Sequence, residues 1–359
     1  MRVVVVGASG NVGTAVLRAL AEEPAVTSIV GVARRVPRAD GSSTVGYPHD
    51  RAEWVRVNLT GTADHVRGGL DQALAGADAV VHLAWAIQPS HDRGYQRRVN
   101  VGGTRAVLDA VVRNEVPHLV VVSSVGAYSP GPPDGRLVDE SWPARGIPTS
   151  DYSVDKAAQE QLLDDLEARH PEVTVTRFRP ALMFQAAAGA EVSGIFLGGL
   201  ASRVVRLAGR SGSGASGSRP RFPVLPLPAG VRLQAMHADD AAQAVRAAVV
   251  QRKGGAFNLA ADEVLSGQDL ADLLAGGRSV QLPPAVVRAA LALAWRLRLV
   301  AVGEGWLDMA MATPVLDAAR AREELGWAPG RTTRQAVLEM VDALLDDRGT
   351  TTPPLSAGK

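Results

Sequence analysis

The sequence predicts an α/β protein built on a doubly wound, largely parallel sheet, and three observations carry that expectation. Short runs of β-branched and aliphatic residues, residues 3–6 first among them, alternate with longer stretches of helical periodicity. Such fully apolar strands suit a sheet covered by helices on both faces. A glycine-rich turn, Gly7-Ala8-Ser9-Gly10-Asn11-Val12-Gly13, joins the first strand to the first helix. Beyond about residue 180 the pattern gives way to Gly/Ser-rich and Pro-punctuated sequence, so a smaller second region is expected there.

Composition agrees with a soluble globular chain. Of 359 residues, 46% are hydrophobic and 21% charged, enough for two domains or one large domain with a cap. A net charge of +1 gives no global electrostatic case for nucleic acid. The absence of cysteine removes disulfides, thiolate nucleophiles and cysteine metal sites together. One arginine and four valines before the glycine turn are too short for a signal-peptide core. The most apolar stretch, residues 285–302, is broken by Arg288, Arg296 and Arg298, so no membrane span is expected. A cytoplasmic location is the expectation.

The elements follow in order. Strand 3–6, the glycine turn and a helix marked by Val16, Leu17 and Leu20 together form a dinucleotide-binding turn. Its glycines let the backbone approach a pyrophosphate, and the helix N-terminus supplies N–H donors and a positive dipole end. Gly7, Gly10, Asn11, Val12 and Gly13 are the candidate contacts, spaced GxxGxxG. The second strand, 28–33, ends in Ala33-Arg34-Arg35. An NAD site usually has an acid here for the ribose 2′-hydroxyl, whereas an NADP site has arginine for the 2′-phosphate. Ala33 offers no carboxylate and Arg34 and Arg35 follow, so NADP(H) is favoured, with NAD(H) the alternative. A third strand, 54–57, delivers Asn58 and Leu59 to the flank of an adenine. A helix near 63–75 leads to the fourth strand, 79–82, which ends His82-Leu83-Ala84-Trp85. A lone histidine at a strand end is more often structural than catalytic. Trp85, Ile87, Gln88 and Pro89 then form a loop at the carboxyl edge, where open α/β sheets bind ligands. A long helix over 92–114 contains Asn100-Val101-Gly102-Gly103-Thr104, and the fifth strand, 119–122, ends at Ser123-Ser124.

The segment 151–169 opens with Tyr152-Ser153-Val154-Asp155-Lys156 and is helical by the spacing of Ala157, Ala158, Leu162, Leu163 and Leu166. Ser150 or Asp151 can cap it. Positions four apart share a helix face, so the Tyr152 phenol and the Lys156 ammonium are expected side by side. A fixed positive charge beside a phenol favours phenolate and tunes it for proton transfer.

Further on, 191–208 reads as a helix, 210–219 as a mobile insertion, and 222–228 as an extended stretch able to floor a pocket. His237, Asp239 and Asp240 superficially offer metal ligands, but Asp239 reads as the cap of a helix running to about 251, and no metal is expected. Residues 284–301, with Trp295, form an amphipathic wall, and a helix over 332–347 precedes a Thr/Pro tail.

Taken together, these residues resemble a known family. Gly7-x-x-Gly10-x-x-Gly13, His82-Leu83-Ala84, Asn100 with Gly103-Thr104, Ser123-Ser124 before Tyr128, and Tyr152-x-x-x-Lys156 are joined by later motifs. Those are Arg177-Phe178-Arg179-Pro180, His237-Ala238-Asp239-Asp240-Ala241, Asn258-Leu259-Ala260 and Leu325-Gly326-Trp327-x-Pro329. Over nearly its whole length the chain is similar to extended short-chain dehydrogenases/reductases of the epimerase/dehydratase type. The resemblance implies a Rossmann-like fold with Tyr152 as proton donor or acceptor, Ser124 on the substrate oxygen, and Lys156 lowering the phenol's pKa and holding the nicotinamide ribose. It also implies cofactor contacts at Leu83, Ala84, Asn100 and Pro180. Residues 1–180 would form the dinucleotide-binding domain, with segments near 231–260 returning to it; 181–347 would be mainly substrate-binding, and 348–359 a disordered tail.

Two departures narrow the chemistry. The Asp-Glu pair that sugar-nucleotide dehydratases carry after the serine is Val125-Gly126 here, and Phe178-Arg179-Pro180-Ala181 lacks the asparagine usual in sugar-nucleotide 4-epimerases. The expectation is an NAD(P)-dependent oxidoreductase interconverting a carbonyl and an alcohol on a small molecule. The alternatives are an epimerase and, in another class, a non-catalytic cofactor sensor or scaffold. The family's habit of pairing through the helices near 92–114 and 151–169 implies a homodimer, with Val107, Leu108, Val111 and Val112 as a candidate face.

Overall fold

The computed structural model describes residues 1–37, 45–87, 91–184, 222–300 and 302–345. Gln88, Pro89, the helix expected over 191–208, the insertion at 210–219 and the tail at 348–359 lie outside the described residues.

Seven strands form one parallel sheet. They are β1 (Arg2–Val6), β2 (Ser28–Ala33), β3 (Glu53–Arg56), β4 (Ala79–His82), β5 (His118–Val122), β6 (Thr174–Pro180) and β10 (Gly255–Leu259). Their spatial order is β10-β6-β5-β4-β1-β2-β3. From β1 the chain winds outward through β2 and β3, then crosses back to β4 and winds the other way. The reversal leaves a crevice outside the carboxyl ends of β1 and β4, the place where such sheets take ligands.

Side chains alternate across the sheet as a two-residue period requires. Val3 and Val5 pack into one core with α1 (Asn11–Ala21) and α6 (Ala238–Gln251). Val4 and Val6 pack into the other with α2 (Ala63–Leu74), α4 (Gly103–Arg113) and α5 (Asp151–Arg169). Val107, Leu108 and Val111 belong to this second core, so the face expected to meet a partner subunit is already packed on the chain's own sheet.

The helix expected over 92–114 is not uniform. It comprises α3 (Arg93–Arg97), a π-helical turn at Arg98–Gly102, and α4. Helix α5 matches its expected span, and Ser150 supplies the cap by accepting from the Ser153 N–H at 3.4 Å. The cap of α6 differs from expectation. His237 Nδ1 accepts from the Asp239 N–H at 3.1 Å, while the Asp239 carboxylate is drawn 2.6 Å from Arg18 on α1. Asp239 therefore ties two helices together instead of capping one.

The second region is built on two small sheets. β7 (Leu182–Phe184), β9 (Arg232–His237) and β11 (Val264–Ser266) form one. β8 (Leu225–Pro228), the Pro-punctuated stretch, pairs with β12 (Ser279–Leu282) after α7 (Gly267–Ala275). α8 (Pro284–Arg296) and α9 (Glu304–Ala312) lie against each other over the start of α5. The outer side of α8 leaves Val286 and Leu293 exposed, while Trp295 turns inward to a cavity. α10 (Ala319–Leu325) and α11 (Thr333–Leu345) close the described chain. No helix among the described residues is long and apolar enough to cross a membrane.

Candidate active site

The glycine turn is fixed by close packing. Gly7 has φ +93°, and a Cβ there would stand 2.6 Å from the Ala84 nitrogen, so the turn rests directly on the Leu83-Ala84 backbone. A Cβ at Gly13 would lie 2.4 Å from the Gly7 oxygen, which is how α1 comes so close to β1. At Gly10 the same test meets only the Gly7 oxygen, at 3.5 Å, so that face is open. Gly10 caps α1 without a side-chain hydrogen bond, and the first turn holds no acidic residue. An open backbone cradle at an undressed, electropositive helix end suits a pyrophosphate.

From this point a cleft of about 240 Å³ runs along the carboxyl edge of the sheet. Arg34, Arg35, Asn58 and Leu59 line one end, and Leu83, Ala84, Trp85 and Ile87 the other. Arg34 is exposed and donates to the Tyr95 hydroxyl of α3 at 2.5 Å. The Asn58 carboxamide oxygen is engaged locally by the N–H and hydroxyl of Thr60. Asn11, Val12 and Gly13 begin α1 beside this cleft. Three further residues expected at the cofactor do not themselves line this cleft. Pro180 is buried at the end of β6, Asn100 lines the neighbouring cavity, and Lys156 lies behind Trp85.

That neighbouring cavity, about 200 Å³, is walled by Arg93, Tyr152, Asp155, Trp295, Glu304 and Trp306. The Tyr152 ring meets Trp85 edge-on at 6.0 Å and Trp306 at 5.2 Å. Gly126 makes room for it, since a Cβ there would be 3.0 Å from the ring. Burial pushes the phenol up to about 12, and a hydrogen bond with Ser124 pulls against that. Ser124 also accepts from the Gly126 N–H at 3.0 Å, which fixes its hydroxyl.

The phenol–ammonium pair expected from the spacing does not form. The Lys156 amine turns toward the sheet, donating to the Val122 carbonyl at 3.1 Å and the Gln159 carboxamide oxygen at 3.0 Å. Its remaining side faces the Trp85 ring, 3.7 Å from the centroid. Burial lowers its pKa to about 7, with the Glu160 carboxylate pulling the other way. So the phenol is raised rather than lowered: the lysine directs its charge elsewhere.

Behind it stands a buried polar chain. Gln159 Nε2 donates to the Thr104 hydroxyl at 3.3 Å, and Thr104 donates to the Asn100 carbonyl at 2.7 Å. His82 Nε2 is 3.0 Å from the same hydroxyl, and burial with the nearby Lys156 charge lowers this histidine to about 3. His82 is thus a neutral structural residue, as its lone position at a strand end suggested. Asn100, carried by the π turn, clasps the loop after β4. Its oxygen accepts from the Ala86 N–H at 2.7 Å and its nitrogen donates to the Ala86 carbonyl at 3.3 Å. Asp155, 1% exposed at its side chain, receives both Arg93 nitrogens at 2.5 and 2.6 Å and Arg97 at 3.2 Å.

One turn further along α5, Glu160 is buried against two guanidinium groups. It accepts from Arg179 at 2.8 and 3.1 Å and from Arg177 at 3.2 Å. Burial would raise Glu160, but the hydrogen bonds and charges of Arg179 and Arg177 outweigh it and hold the carboxyl below its ordinary value. Arg179 continues to the Tyr128 hydroxyl at 3.1 Å, which donates to Asn258 at 2.7 Å. The Arg-Phe-Arg-Pro and Asn-Leu-Ala motifs are therefore joined as architecture.

Reasoning from the sequence missed Asp155, Gln159 and Trp306. A signal for the first two was present. Asp155, Lys156, Gln159 and Glu160 fall where the inward stripe of α5 should be apolar, and a polar stripe facing a core marks a buried network.

Comparison with known proteins agrees with the fold and its turn. The model of the NAD dependent epimerase/dehydratase family matches residues 3–260, and the chain belongs to that family. An uncharacterized protein of Mycobacterium tuberculosis (strain ATCC 25618 / H37Rv) is 27% identical over 339 residues, covering 93% of this chain and 81% of its own. Among solved structures, that of gox2253 superposes with a TM-score of 0.68 at 22% identity, covering 96% of this chain and 97% of its own. A UDP-glucose 4-epimerase of Thermus thermophilus, solved with NAD, gives 0.65 at 19% identity, covering 96% and 99%.

Proposed function

We propose that this member of the NAD-dependent epimerase/dehydratase family is an oxidoreductase that interconverts a carbonyl and an alcohol on a small molecule. The observation that carries the reading is the Tyr152 phenol, with Ser124 near enough to oppose its upward shift, in the wall of a cavity that adjoins the open glycine-turn cleft. A nicotinamide, when bound, supplies or accepts the hydride. This chain's residues do the rest. With its pKa near 12, Tyr152 carries its proton at neutral pH and is set to donate to a developing alkoxide in the reducing direction. Ser124 orients the substrate oxygen against that phenol. Lys156, brought within reach of the phenol, would lower its pKa by charge and ease the return of the proton. Val125 and Gly126 offer no acid or base for expelling water, which disfavours dehydration.

NADP(H) is the proposed cofactor. β2 ends at Ala33 with no carboxylate for a ribose diol, and Arg34 and Arg35 at the rim of the cleft suit a 2′-phosphate. Gly10 and the start of α1 would hold the pyrophosphate. A second reading, an epimerase that oxidises and re-reduces one carbon, is favoured by the fold it shares with UDP-glucose 4-epimerase. Following NADPH absorbance against a panel of ketones tests both. Steady oxidation supports the reductase, and isomerised product without net oxidation supports the epimerase. Cofactor binding with neither outcome would make the chain a sensor.

A further inference from the structure

The donors of Lys156 are filled in a way that gives Trp85 a role. The Thr104 hydroxyl has one proton and gives it to the Asn100 carbonyl at 2.7 Å. It can then only accept, from His82 Nε2 at 3.0 Å and Gln159 Nε2 at 3.3 Å. This fixes the Gln159 carboxamide with its oxygen toward Lys156, where it accepts from the amine at 3.0 Å. Val122 takes a second bond at 3.1 Å. An ammonium has three donors, and the only direction left runs into the Trp85 ring at 3.7 Å. Meanwhile the indole's own donor, Trp85 Nε1, is buried with no acceptor among the described residues, so none of their groups pins the ring where it stands.

We propose that Trp85 is a displaceable stopper on Lys156, a positioning residue whose ring fills the amine's third donor direction until a ligand in the cleft swings it aside. Trp85 lines the cleft that begins at the glycine turn and also touches Tyr152 edge-on. One movement of the ring would therefore free the amine and uncover the phenol together. That the displacing ligand is a nicotinamide cofactor rests on the function proposed above; that the ring shields the amine does not.

The chain's lysines are Lys156, Lys253 and Lys359, which makes the shielding measurable. Acetylation with an N-hydroxysuccinimide ester at neutral pH, read peptide by peptide by mass spectrometry, compares Lys156 with Lys253, whose side chain is 38% exposed. In Trp85→Ala the Lys156 rate should rise about tenfold, the scale of a desolvated cation–ring contact, while Lys253 is unchanged. Trp85→Phe, which keeps a ring with a weaker face, should fall between. Circular dichroism confirms that each variant is folded. Equal Lys156 rates in wild type and both variants would overturn the stopper. Calorimetric titration with NADPH is the second arm, where Trp85→Ala should bind about tenfold tighter because nothing need be displaced. Equal or weaker binding would overturn the part played in ligand entry. If the wild type binds neither NADPH nor NADH, the proposed function fails while the labelling arm still decides the shielding.

Discussion

Among the charged side chains that helix α5 buries, Lys156 and Glu160 stand one turn apart and are treated in opposite ways. Glu160 meets two guanidinium groups and keeps its charge, held below the ordinary carboxylate range in spite of burial. Among the described residues no carboxylate bonds Lys156, and Glu160 acts on it only across space. The amine has two neutral oxygens and a ring, and its pKa falls to about 7. A buried charge with partners is architecture, since removing either side strands the other. A buried charge without a counter-ion is a liability to folding, and such groups gather where chemistry is done. The contrast points to the Lys156 turn as the working end of the helix and the Glu160 turn as its mounting.

The sharpest way to break that contrast is at the phenol. Tyr152→Phe removes the transferable proton and keeps the ring, so turnover should drop by about two to four orders of magnitude with cofactor affinity nearly unchanged. Retained turnover on a true substrate would leave the Lys156 end without chemistry. On the other side, Glu160→Gln leaves Arg177 and Arg179 short of a buried counter-charge and should cost about 3–5 kcal/mol in urea unfolding. A loss below about 1 kcal/mol, the worth of a surface pair, would deny it the mounting role.

Lys156→Met should move stability the opposite way at neutral pH. The folded pKa, about 7, lies below the ordinary 10.5, so the folded chain sheds its proton before the unfolded chain does. Below pH 7 both forms hold the proton and the burial penalty is complete. Between about 7 and 10.5 the unfolded chain binds the extra proton, so wild-type stability from this group rises with pH. The variant's advantage should be on the order of 2–4 kcal/mol at pH 6 and shrink steadily toward pH 10. Melting curves across that range check the trend, and a pH-independent difference would mean the amine is not depressed.

The smallest effect belongs to an exposed charge. Among the described residues Arg34 bonds a phenol at the rim of the cleft, and solvent weakens what it can contribute. NADPH should bind about tenfold tighter than NADH, Arg34→Ala should erase most of that, and salt should reduce it. Equal affinities in fluorescence titrations would mean that the arginines merely face water.

Local signals were legible in the sequence. The spans 28–33, 79–82 and 151–169 came through to the residue because β-branched runs, glycine turns and serine caps act within a few positions. That Ser124 stands near Tyr152 is what the family resemblance implied, not something its own neighbours in sequence could give. What could not be read depended on distant partners. Asp239 was expected to cap its helix, but Arg18, 221 residues earlier, captures its carboxylate. Lys156 was expected on the phenol, but Val122 and Trp85, far off in the chain, take its amine. The face at Val107, Leu108 and Val111 looks the same whether it meets its own sheet or a second subunit, and here it meets the sheet.

The π turn at Arg98–Gly102 makes the helix it interrupts behave like a dial. Each residue of a helix advances the chain by about 100°, so deleting one residue there would rotate everything before it by that angle. Tyr95 would leave Arg34 at the rim of one cleft, and Arg93 would leave Asp155 in the wall of the other. Thr104, Val107 and Val111, beyond the deletion, would keep their places in the core. A single lost codon would thus reset both mouths at once, and it would strand the buried Asp155 carboxylate without Arg93 and Arg97.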